Sequence, residues 1–305
     1  MNSKILQNKI CLITGATSGI GLATAKELAI KGYHLILVAR NKEKVKKTIE
    51  HIKYQVSSIK YLVSNKNQID YFLCDLANFK EVKKVAEKIK KKYPKINVLI
   101  NNAGIFIKDH STTYEGCKTQ LAVNYLSPYL LTNLLLTNLE NGAPARIINV
   151  SSLAHKNVSL DLNNMVDRKF CEDPKSAYAS SKLALIMFTY ELARRLKNSG
   201  VTVNAVCPGG VATNIWRNNN DLKSHVAKIS MNLLKTPEQA AKILIYLATN
   251  PELEKTSSKY FAVPTHFRFF SYDVRKCEAK SSPESYDLKR SQKLWEISEK
   301  LVGLT

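Results

Sequence analysis

The sequence predicts an α/β fold in which one doubly wound parallel sheet forms a single domain, residues 1–264, followed by a C-terminal tail with a short helix, residues 265–305. Short apolar segments alternate with amphipathic helical segments along most of the 305-residue chain, as in consecutive β-α-β units. Glycine-rich or polar motifs follow the ends of the apolar segments, and a parallel sheet binds its ligands at that edge. A single sheet explains both observations.

The first strand, Lys9–Thr14, leads into a glycine-rich turn, Gly15–Gly21, and then into an amphipathic helix that ends at about Lys31. Backbone N–H groups and the positive end of the helix would face a diphosphate, and the glycines would let the chain approach it closely. A glycine motif alone is weak support for a nucleotide site. Its position between a strand and a helix near the N-terminus is typical of a Rossmann-type sheet.

The second strand, Tyr33–Val38, ends at Ala39 and Arg40, where dinucleotide folds that bind NAD carry an acidic residue. An arginine here suits the 2′-phosphate of NADP, because a guanidinium binds phosphate bidentately. The alternative is that Arg40 is only solvated at the start of a lysine-rich helix. We therefore expect NADP(H) as the cofactor.

The third strand, Ile69–Cys74, ends at Asp75, which is placed to contact an adenine ring. Asn78 and Glu81 have the spacing of a helix N-cap pair, so Asp75 can equally be a turn residue. A fourth strand runs into the small residues of Asn101–Gly104, which would let a loop lie against a flat ligand.

The alternation of strands and helices continues beyond the fourth strand. A strand ends at Ser151 and Ser152, a helix over Lys175–Asn198 carries Tyr178 and Lys182, and the next strand ends at Pro208 and Gly209. The segment between Val211 and Lys235 has little regular pattern and is predicted to form a lid over the site. The further elements predicted are a helix that starts after Thr236 and ends at about Thr249, a strand over Lys259–Val263 and a helix over Pro283–Leu301.

Tyr178 and Lys182 lie four positions apart and therefore project from the same face of their helix. An unperturbed tyrosine has a pKa of about 10, and a nearby ammonium group stabilises the phenolate and lowers that pKa. The pair would then serve as a proton donor and acceptor near neutral pH. Taken alone, a Y-x-x-x-K pattern occurs by chance in most proteins.

The positive charge is concentrated in two predicted helices. Residues 41–95 carry 15 Lys against six Asp or Glu, a net charge of +9 within the total of +21. Helically spaced apolar residues interrupt the lysines, so the lysines form outer faces. Solvated faces are the simpler interpretation, and attraction to nucleic acid or anionic lipid is the alternative. Because no nucleic-acid motif accompanies the charge, we expect no nucleic-acid partner.

Other sequence features bear on location. The six cysteines are scattered without a C-x-x-C pair or a histidine cluster, which predicts reduced thiols, an intracellular setting and no metal site. No apolar run precedes the first strand, and the most apolar stretch, Leu121–Leu139, is interrupted by polar residues as in a buried helix. We expect a cytoplasmic protein with at most weak peripheral attachment to intracellular membranes, through its basic faces and the aromatic stretch Tyr260–Tyr272.

These motifs occur in the order found in short-chain dehydrogenases/reductases, and the chain resembles that family over residues 9–213. Within the family it resembles the retinol dehydrogenase-like branch. The motifs that carry the resemblance are T-G-x-x-x-G-I-G at Thr14–Gly21, N-N-A-G at Asn101–Gly104, Asn124, Ser152, Y-x-x-x-K at Tyr178–Lys182, and P-G at Pro208 and Gly209. The branch is indicated by Val123–Thr132, Asn149–His155, Glu191–Leu196 and the 26-position interval between Ser152 and Tyr178.

The resemblance implies a role for each matching position. Tyr178 would exchange a proton with the substrate oxygen, Ser152 would hydrogen-bond that oxygen, Lys182 would lower the tyrosine pKa and bind the nicotinamide ribose, and Asn124 would hold a water connected to Lys182. The alternative for Asn124 is a core amide that only satisfies its own hydrogen bonds. The cofactor-binding residues implied are Gly15, Thr17, Ser18, Gly19, Ile20, Gly21, Arg40, Asp75, Asn102, Ala103, Gly104, Tyr178, Lys182, Pro208, Gly209, Val211 and Thr213, with Asn102 beside the adenosine ribose and Thr213 on the nicotinamide side.

Three functions compete at this point. The leading interpretation is an NADP-dependent alcohol dehydrogenase or carbonyl reductase that interconverts a lipophilic aldehyde or ketone, such as a retinoid, steroid or xenobiotic, and its alcohol. The second is a catalytically idle NADP sensor or scaffold, against which the complete Asn, Ser, Tyr and Lys set argues. The third is a binder of nucleic acid or anionic membranes. Pairing as a homodimer through the helices that carry Asn124 and Tyr178 is also compatible with the resemblance.

Overall fold

The computed structural model describes residues 9–58, 68–108, 111–113, 116–165, 173–211, 234–264 and 271–304. Most of the predicted lid and Thr213 lie outside these residues, as does part of the aromatic stretch that begins at Tyr260. Nothing in the described ranges divides the protein into separate units, and the predicted α/β fold with one doubly wound sheet is confirmed.

The described residues form one sheet in the order β3-β2-β1-β4-β5-β6-β7-β8, in which the first seven strands are parallel and the short β8 is antiparallel to β7. The strands are β1 Ile10–Thr14, β2 His34–Ala39, β3 Ile69–Leu73, β4 Val98–Asn101, β5 Ala145–Val150, β6 Val201–Cys207, β7 Lys259–Ala262 and β8 Glu278–Ala279. Every residue of β5 and β6 is buried, and most of them are apolar, as expected for parallel strands that are covered on both faces. The strand order reverses beside β1, and this places the ends of β1 and β4 at the ligand-binding crevice of a doubly wound sheet.

Helices cover both faces of the sheet. They are α1 Gly19–Ile30, α2 Lys42–Ser57, α3 Phe79–Lys92, α4 with its two α-helical parts Thr119–Leu121 and Ser127–Leu134, α5 Leu136–Asn141, α6 Pro174–Arg195, α7 Pro237–Thr249 and α8 Leu288–Val302. The apolar sides of α1, α2 and α7 pack in one core, and those of α3, α4, α6 and α8 pack in the core on the other face. Helix α7 starts after Thr236 as predicted, and Thr236 and Gln239 form a reciprocal capping box at its N-terminus.

The lysine-rich helices behave as the sequence predicts. Val45, Ile49 and Ile52 of α2 and Val82, Val85 and Ile89 of α3 are buried, while most of the lysines between them are exposed. The two helices pack on opposite faces of the sheet, so their basic surfaces are exposed on opposite sides of the protein.

The aromatic stretch does not form a membrane-facing surface where the structure describes it. Tyr260 and Phe261 lie in β7 and are only 1% and 3% exposed, and the Tyr272 hydroxyl donates a hydrogen bond to the Gln239 carbonyl. The expectation that this stretch contacts lipid is therefore wrong for these residues, because β7 is covered on both sides. No helix in the described part of the chain is both long enough and apolar enough to cross a bilayer.

The C-terminal segment packs tightly against the sheet domain. Leu294, Trp295 and Val302 of α8 are buried in the same core as α4 and α6. The Trp295 ring packs 5.0 Å from the ring of Tyr129, and the Arg195 guanidinium lies 4.0 Å above it. The predicted tail helix is thus an integral layer over the helices that carry the central motifs.

Candidate active site

The glycine-rich turn packs against the loop that follows β4 so closely that side chains are excluded. A Cβ added to Gly21 would lie 2.4 Å from the Asn102 amide nitrogen and 2.4 Å from the Gly15 carbonyl oxygen. Gly15 itself has a φ of +69°, a left-handed conformation that glycine adopts without strain. Two glycines are therefore required by close approach and by backbone conformation, and they leave a cradle at the start of α1.

The first turn of α1 directs unpaired N–H groups into this cradle. Ser18 is the N-cap of α1, it is exposed, and its side chain makes no capping hydrogen bond to the helix. Thr17, Gly19 and Ile20 complete the turn. Because the N-terminus of a helix carries partial positive charge and free donors, these residues fit the diphosphate of a dinucleotide.

Thr14 joins the turn to the loop after β4. Its hydroxyl oxygen accepts hydrogen bonds from the backbone N–H groups of Asn102, at 3.1 Å, and Ala103, at 3.0 Å. The Asn102 side-chain amide donates to the carbonyl oxygens of Thr14, at 2.9 Å, and Gly15, at 3.1 Å. Asn102 therefore stabilises the glycine-rich turn. The sequence predicted only that it lies beside the adenosine ribose.

Arg40 and Asp75 lie at the outer rim of the crevice. Arg40 is exposed directly after β2, and the Asn41 side chain that follows it accepts a hydrogen bond from Lys44 N–H as the N-cap of α2. The Asp75 carboxylate accepts a hydrogen bond from Ala77 N–H, so it stabilises its own turn. The turn interpretation of Asp75 therefore agrees with its contacts, while Arg40 faces solvent just after β2.

Ser152, Tyr178 and Lys182 meet at the ends of β5 and β6. The Ser152 hydroxyl is close enough to the Tyr178 hydroxyl to lower its pKa as a hydrogen-bond donor, and Lys182 Nζ lies 5.7 Å from the centre of the Tyr178 ring. Lys182 Nζ also donates to the Val150 carbonyl at 2.9 Å. The neighbouring Ser151 hydroxyl points the other way and donates to the Lys182 carbonyl, so only Ser152 faces Tyr178.

The pKa values of this group differ from the sequence expectation. Burial raises the pKa of Tyr178 to about 12, although the hydrogen bond from Ser152 opposes the rise, and burial lowers the pKa of Lys182 to about 8. The net shift of Tyr178 is set by burial, and a lowering of its pKa by Lys182 stays a prediction. Tyr178 is 7% exposed and Lys182 is 3% exposed, so both charged forms lose hydration, and that loss outweighs their proximity.

Asn124 lies in a single turn of π-helix, Ala122–Leu126, that interrupts α4. Its amide oxygen accepts from Ile105 N–H at 2.8 Å, and its amide nitrogen donates to the Ile105 carbonyl and to the Ser181 hydroxyl. A Cβ on Gly104 would lie 3.4 Å from this amide oxygen and 3.2 Å from Lys182 Nζ. Asn124 thus fixes the loop beside Lys182, and π turns of this kind are frequent at functional sites.

The segment after β6 closes the far side of the site. Pro208 is buried and Gly209 has a φ of +84°. Val211 pairs with Lys235, whose ammonium donates to the Pro264 carbonyl at 2.8 Å. Val211 and Lys235, the first and last residues of the predicted lid, are therefore paired with each other.

Several residues that shape the candidate active site were not predicted from the sequence. Besides Thr14, a buried amide chain connects β4, β5 and α6, because Asn101 donates to Asn149 at 2.8 Å and Asn149 donates to Thr189 at 2.9 Å. Asparagine in otherwise apolar strands was the available signal, since a buried amide requires partners. His155 also contacts the site, through the carbonyl of Ser152.

Comparisons with known proteins agree with this geometry. Residues 9–224 match the family model described as short chain dehydrogenase. The chain is 39% identical to human Retinol dehydrogenase 13 over 98% of its length and 86% of that protein, and 35% identical to human Polyprenol dehydrogenase over 97% and 86%. Among solved structures, an uncharacterised protein from Mycobacterium paratuberculosis is similar with a TM-score of 0.73 and 26% identity, over 99% of this chain and 97% of that one.

Proposed function

The chain belongs to the retinol dehydrogenase-like branch of the short-chain dehydrogenase family, and we propose that it interconverts a lipophilic alcohol and its aldehyde or ketone, with NADP(H) as the cofactor. The observation that carries the proposal is the placement of Ser152, Tyr178 and Lys182 together at the ends of β5 and β6. A hydroxyl pair beside a buried amine is suited to proton transfer at a reacting oxygen.

The chemistry divides between the cofactor and the side chains. Bound NADP(H) supplies or accepts the hydride. In the direction of reduction, the Tyr178 hydroxyl donates its proton to the substrate oxygen, and the Ser152 hydroxyl donates a hydrogen bond to that oxygen as negative charge develops on it. Lys182, when protonated, stabilises the phenolate that forms. Because the Lys182 ammonium is held by the Val150 carbonyl at the end of β5, little movement of the lysine accompanies the proton transfer.

The cofactor residues fit a dinucleotide by shape and charge. Gly15 and Gly21 leave the cradle at the start of α1, and Gly104 opens the loop surface beside Lys182. Arg40 supplies the selectivity, since a charge-assisted hydrogen bond to a phosphate contributes about 1.5–3 kcal/mol and each 1.4 kcal/mol is about a tenfold preference. Screening at this exposed rim favours the lower end, about tenfold to a hundredfold for NADP(H) over NAD(H).

The substrate class rests on the relatives and on the sequence branch. Proteins named for retinol and polyprenol, both long apolar alcohols, match nearly the whole chain. Phe106 lies edge-on to the Tyr178 ring with 5.7 Å between the ring centres, which gives the approach to the hydroxyl pair an apolar wall. A lipophilic substrate is consistent with both.

The test of the chemistry is Tyr178→Phe, which removes the proton donor and keeps the ring. We expect turnover of aldehydes, ketones or retinoids with NADPH to fall by about 10²–10⁴-fold, with the dissociation constant of NADPH changed little. Tyr33→Phe is the matched control, because Tyr33 is equally buried but packs in the other core. Wild-type turnover by the Tyr178→Phe protein would refute the assignment.

The test of cofactor choice combines Ala39→Asp with Arg40→Ala. The new carboxylate repels the 2′-phosphate and accepts hydrogen bonds from the free ribose hydroxyls of NAD, so we expect the ratio of kcat/KM for NADPH and NADH to reverse. Lys44→Ala, an exposed charge removed one turn further along, should leave the ratio unchanged. Equal kcat/KM for the two cofactors in the wild type would falsify the role of Arg40.

The lysine faces of α2 and α3 support a second, weaker association with anionic lipid. Because they lie on opposite faces of the sheet, each can approach a negatively charged surface by itself. We expect the purified protein to sediment with anionic vesicles at low salt and to be released at high salt, while neutral vesicles retain none. If anionic vesicles fail to retain it at low salt, the lysine faces are only solvated.

A further inference from the structure

His155 connects the loop that carries Ser152 to the C-terminal segment. The residue is fully buried, its Nδ1 lies 2.6 Å from the Ser152 carbonyl oxygen, and its Nε2 lies 3.1 Å from the backbone nitrogen of Ser282. A carbonyl can only accept and a backbone N–H can only donate. The imidazole is therefore the neutral tautomer with its proton on Nδ1, which donates to Ser152 while Nε2 accepts from Ser282.

Ser282 is itself held in place by its neighbours. It is the N-cap of a short 3-10 helix, Pro283–Tyr286, and its carbonyl accepts from the N–H and the hydroxyl of Ser285. The preceding Ser281 hydroxyl bonds both Ser285 and Tyr190 of α6. The donor that reaches His155 is therefore fixed by the same helix that carries Tyr178.

Ser152 depends on this support, because its loop has few other anchors on that side. Its hydroxyl accepts a hydrogen bond from Ala154 N–H at 3.3 Å, a long distance within its own turn. Its carbonyl is approached by both the N–H and the ring of His155. Without the ring, the turn that directs the Ser152 hydroxyl towards Tyr178 loses its shortest contact.

We propose that His155 and Ser282 are positioning residues, and that the C-terminal segment thereby sets the geometry of the Ser152–Tyr178 hydrogen bond. The proposal rests on the proposed function, since it assigns these residues a role in proton transfer by Tyr178. Ser282 contributes through its backbone N–H, which no substitution of its side chain other than proline removes.

The charges around His155 leave this hydrogen bond intact near neutral pH. Burial lowers the pKa of His155, with the backbone bond to Ser152 acting in the opposite direction and the adjacent Lys156 lowering it further. The Tyr260 ring packs against the imidazole, with 5.1 Å between ring centres, and burial raises the pKa of Tyr260 and of Cys207 beside it. His155, Tyr260 and Cys207 are therefore neutral near neutral pH. Among the side chains named here, Lys156 is the charged one next to the imidazole.

The readout follows from what Ser152 does to Tyr178. The hydrogen bond from Ser152 lowers the pKa of Tyr178, against the larger effect of burial. If Ser152 is displaced, that opposition weakens and the tyrosine deprotonates at higher pH. The pH at which kcat for alcohol oxidation reaches its plateau should then move upward, whereas a purely structural role would change the amount of folded protein and leave the pH profile in place.

The experiment compares Ser282→Pro with Ser282→Ala in the full chain. Ser282 has a φ of −63°, which proline adopts, so Ser282→Pro removes the N–H without forcing the backbone at that residue, and Ser282→Ala keeps the N–H as the matched control. His155→Asn breaks the same contact from the other side, because an amide nitrogen replaces Nδ1 but no atom replaces Nε2. Kinetics of retinol or another apolar alcohol with NADP would be recorded from pH 6 upward until kcat of the wild type levels off, since that plateau is the reference for the shift.

We expect Ser282→Pro and His155→Asn each to move the rising limb of kcat upward by about 0.5–1 pH unit and to lower kcat below it about 3–10-fold, with KM for NADP unchanged, from partial loss of a charge-assisted hydrogen bond. The double variant should show the shift of one variant alone, since both remove one contact. A limb that coincides with that of the wild type in His155→Asn, or shifts that add in the double variant, would overturn the proposal. Absence of wild-type turnover with every alcohol tested would instead overturn the proposed function on which it rests.

Discussion

Thr14→Val tests whether the hydroxyl at the end of β1 holds the glycine-rich turn together. The substitution keeps the shape of the side chain and replaces one oxygen, which accepts from the backbone N–H groups of Asn102 and Ala103. Thr14 is 2% exposed, so water cannot readily take the place of that oxygen. Both donors lose a partner in a single change.

The expected cost follows from how these two donors are left. The Asn102 N–H still donates to the Ile100 carbonyl, at 3.0 Å, so the Ala103 N–H is the donor that loses its acceptor. A buried donor left without a partner costs about 1–3 kcal/mol, and we expect a loss in this range in the free energy of unfolding. The turn should also loosen, which would raise the dissociation constant of NADPH.

Urea unfolding and NADPH titration measure the two effects. The matched control is Thr24→Val, a fully buried threonine in α1 whose hydroxyl only donates to the Ile20 carbonyl, a group that remains within the helix. We expect it to cost less than about 1 kcal/mol and to leave NADPH binding unchanged. Equal losses of stability in the two variants would refute the role of Thr14.

Three further substitutions test other parts of the structure. Lys182→Met keeps the buried stem without the ammonium, so kcat should fall at least about 100-fold and KM for NADPH should rise. Asp70→Asn should cost about 1–2 kcal/mol in the free energy of unfolding at pH 7. Burial opposes ionisation of Asp70, but hydrogen bonds led by that of Tyr93 lower its pKa in the folded protein. In urea titrations the difference from the wild type should be present above about pH 4 and disappear as the pH falls through the folded pKa. Trp295→Ala should cost about 3–5 kcal/mol in thermal unfolding, because the ring packs between Tyr129 and the Arg195 guanidinium.

Each of these expectations has a contrary result. A Lys182→Met enzyme with normal KM for NADPH would separate the lysine from the cofactor. A difference between Asp70→Asn and wild type that grows in acid would reverse the sign of the pKa shift. A Trp295→Ala protein with unchanged thermal stability would mean that α8 does not contribute to the core as its burial indicates.

Sequence patterns located most of the fold because apolar periodicity is local. The strand β6 has the predicted bounds Val201–Cys207, and α6 begins one residue before its predicted start. The two-residue strand β8 was missed, since a pattern of period two needs a longer run. The π turn around Asn124 was missed for a related reason: one extra residue in a wholly buried helix leaves no break in its apolar pattern.

The candidate site depends on contacts between residues far apart in the sequence, which local patterns do not predict. The four-residue spacing of Tyr178 and Lys182 is visible in the sequence. The direction of their pKa shifts is not, because it depends on burial by distant segments. His155 is a sharper case, because its partner Ser282 lies 127 positions further along the chain. Neither residue has a property of its own that indicates a contact over such a separation.

The position of α8 affects how the chain reaches its native state during synthesis. Its buried face packs on α4 and α6, and the Tyr125 hydroxyl lies 2.6 Å from that of Ser298 across 173 positions of sequence. A growing chain emerges N-terminus first, so the sheet and α6 are complete before this helix leaves the ribosome. Until then the aromatic side of α4 and α6 is open to water and to other chains. Because α8 is translated after the helices that it covers, nascent chains stalled before Leu288 should be the species that chaperones retain.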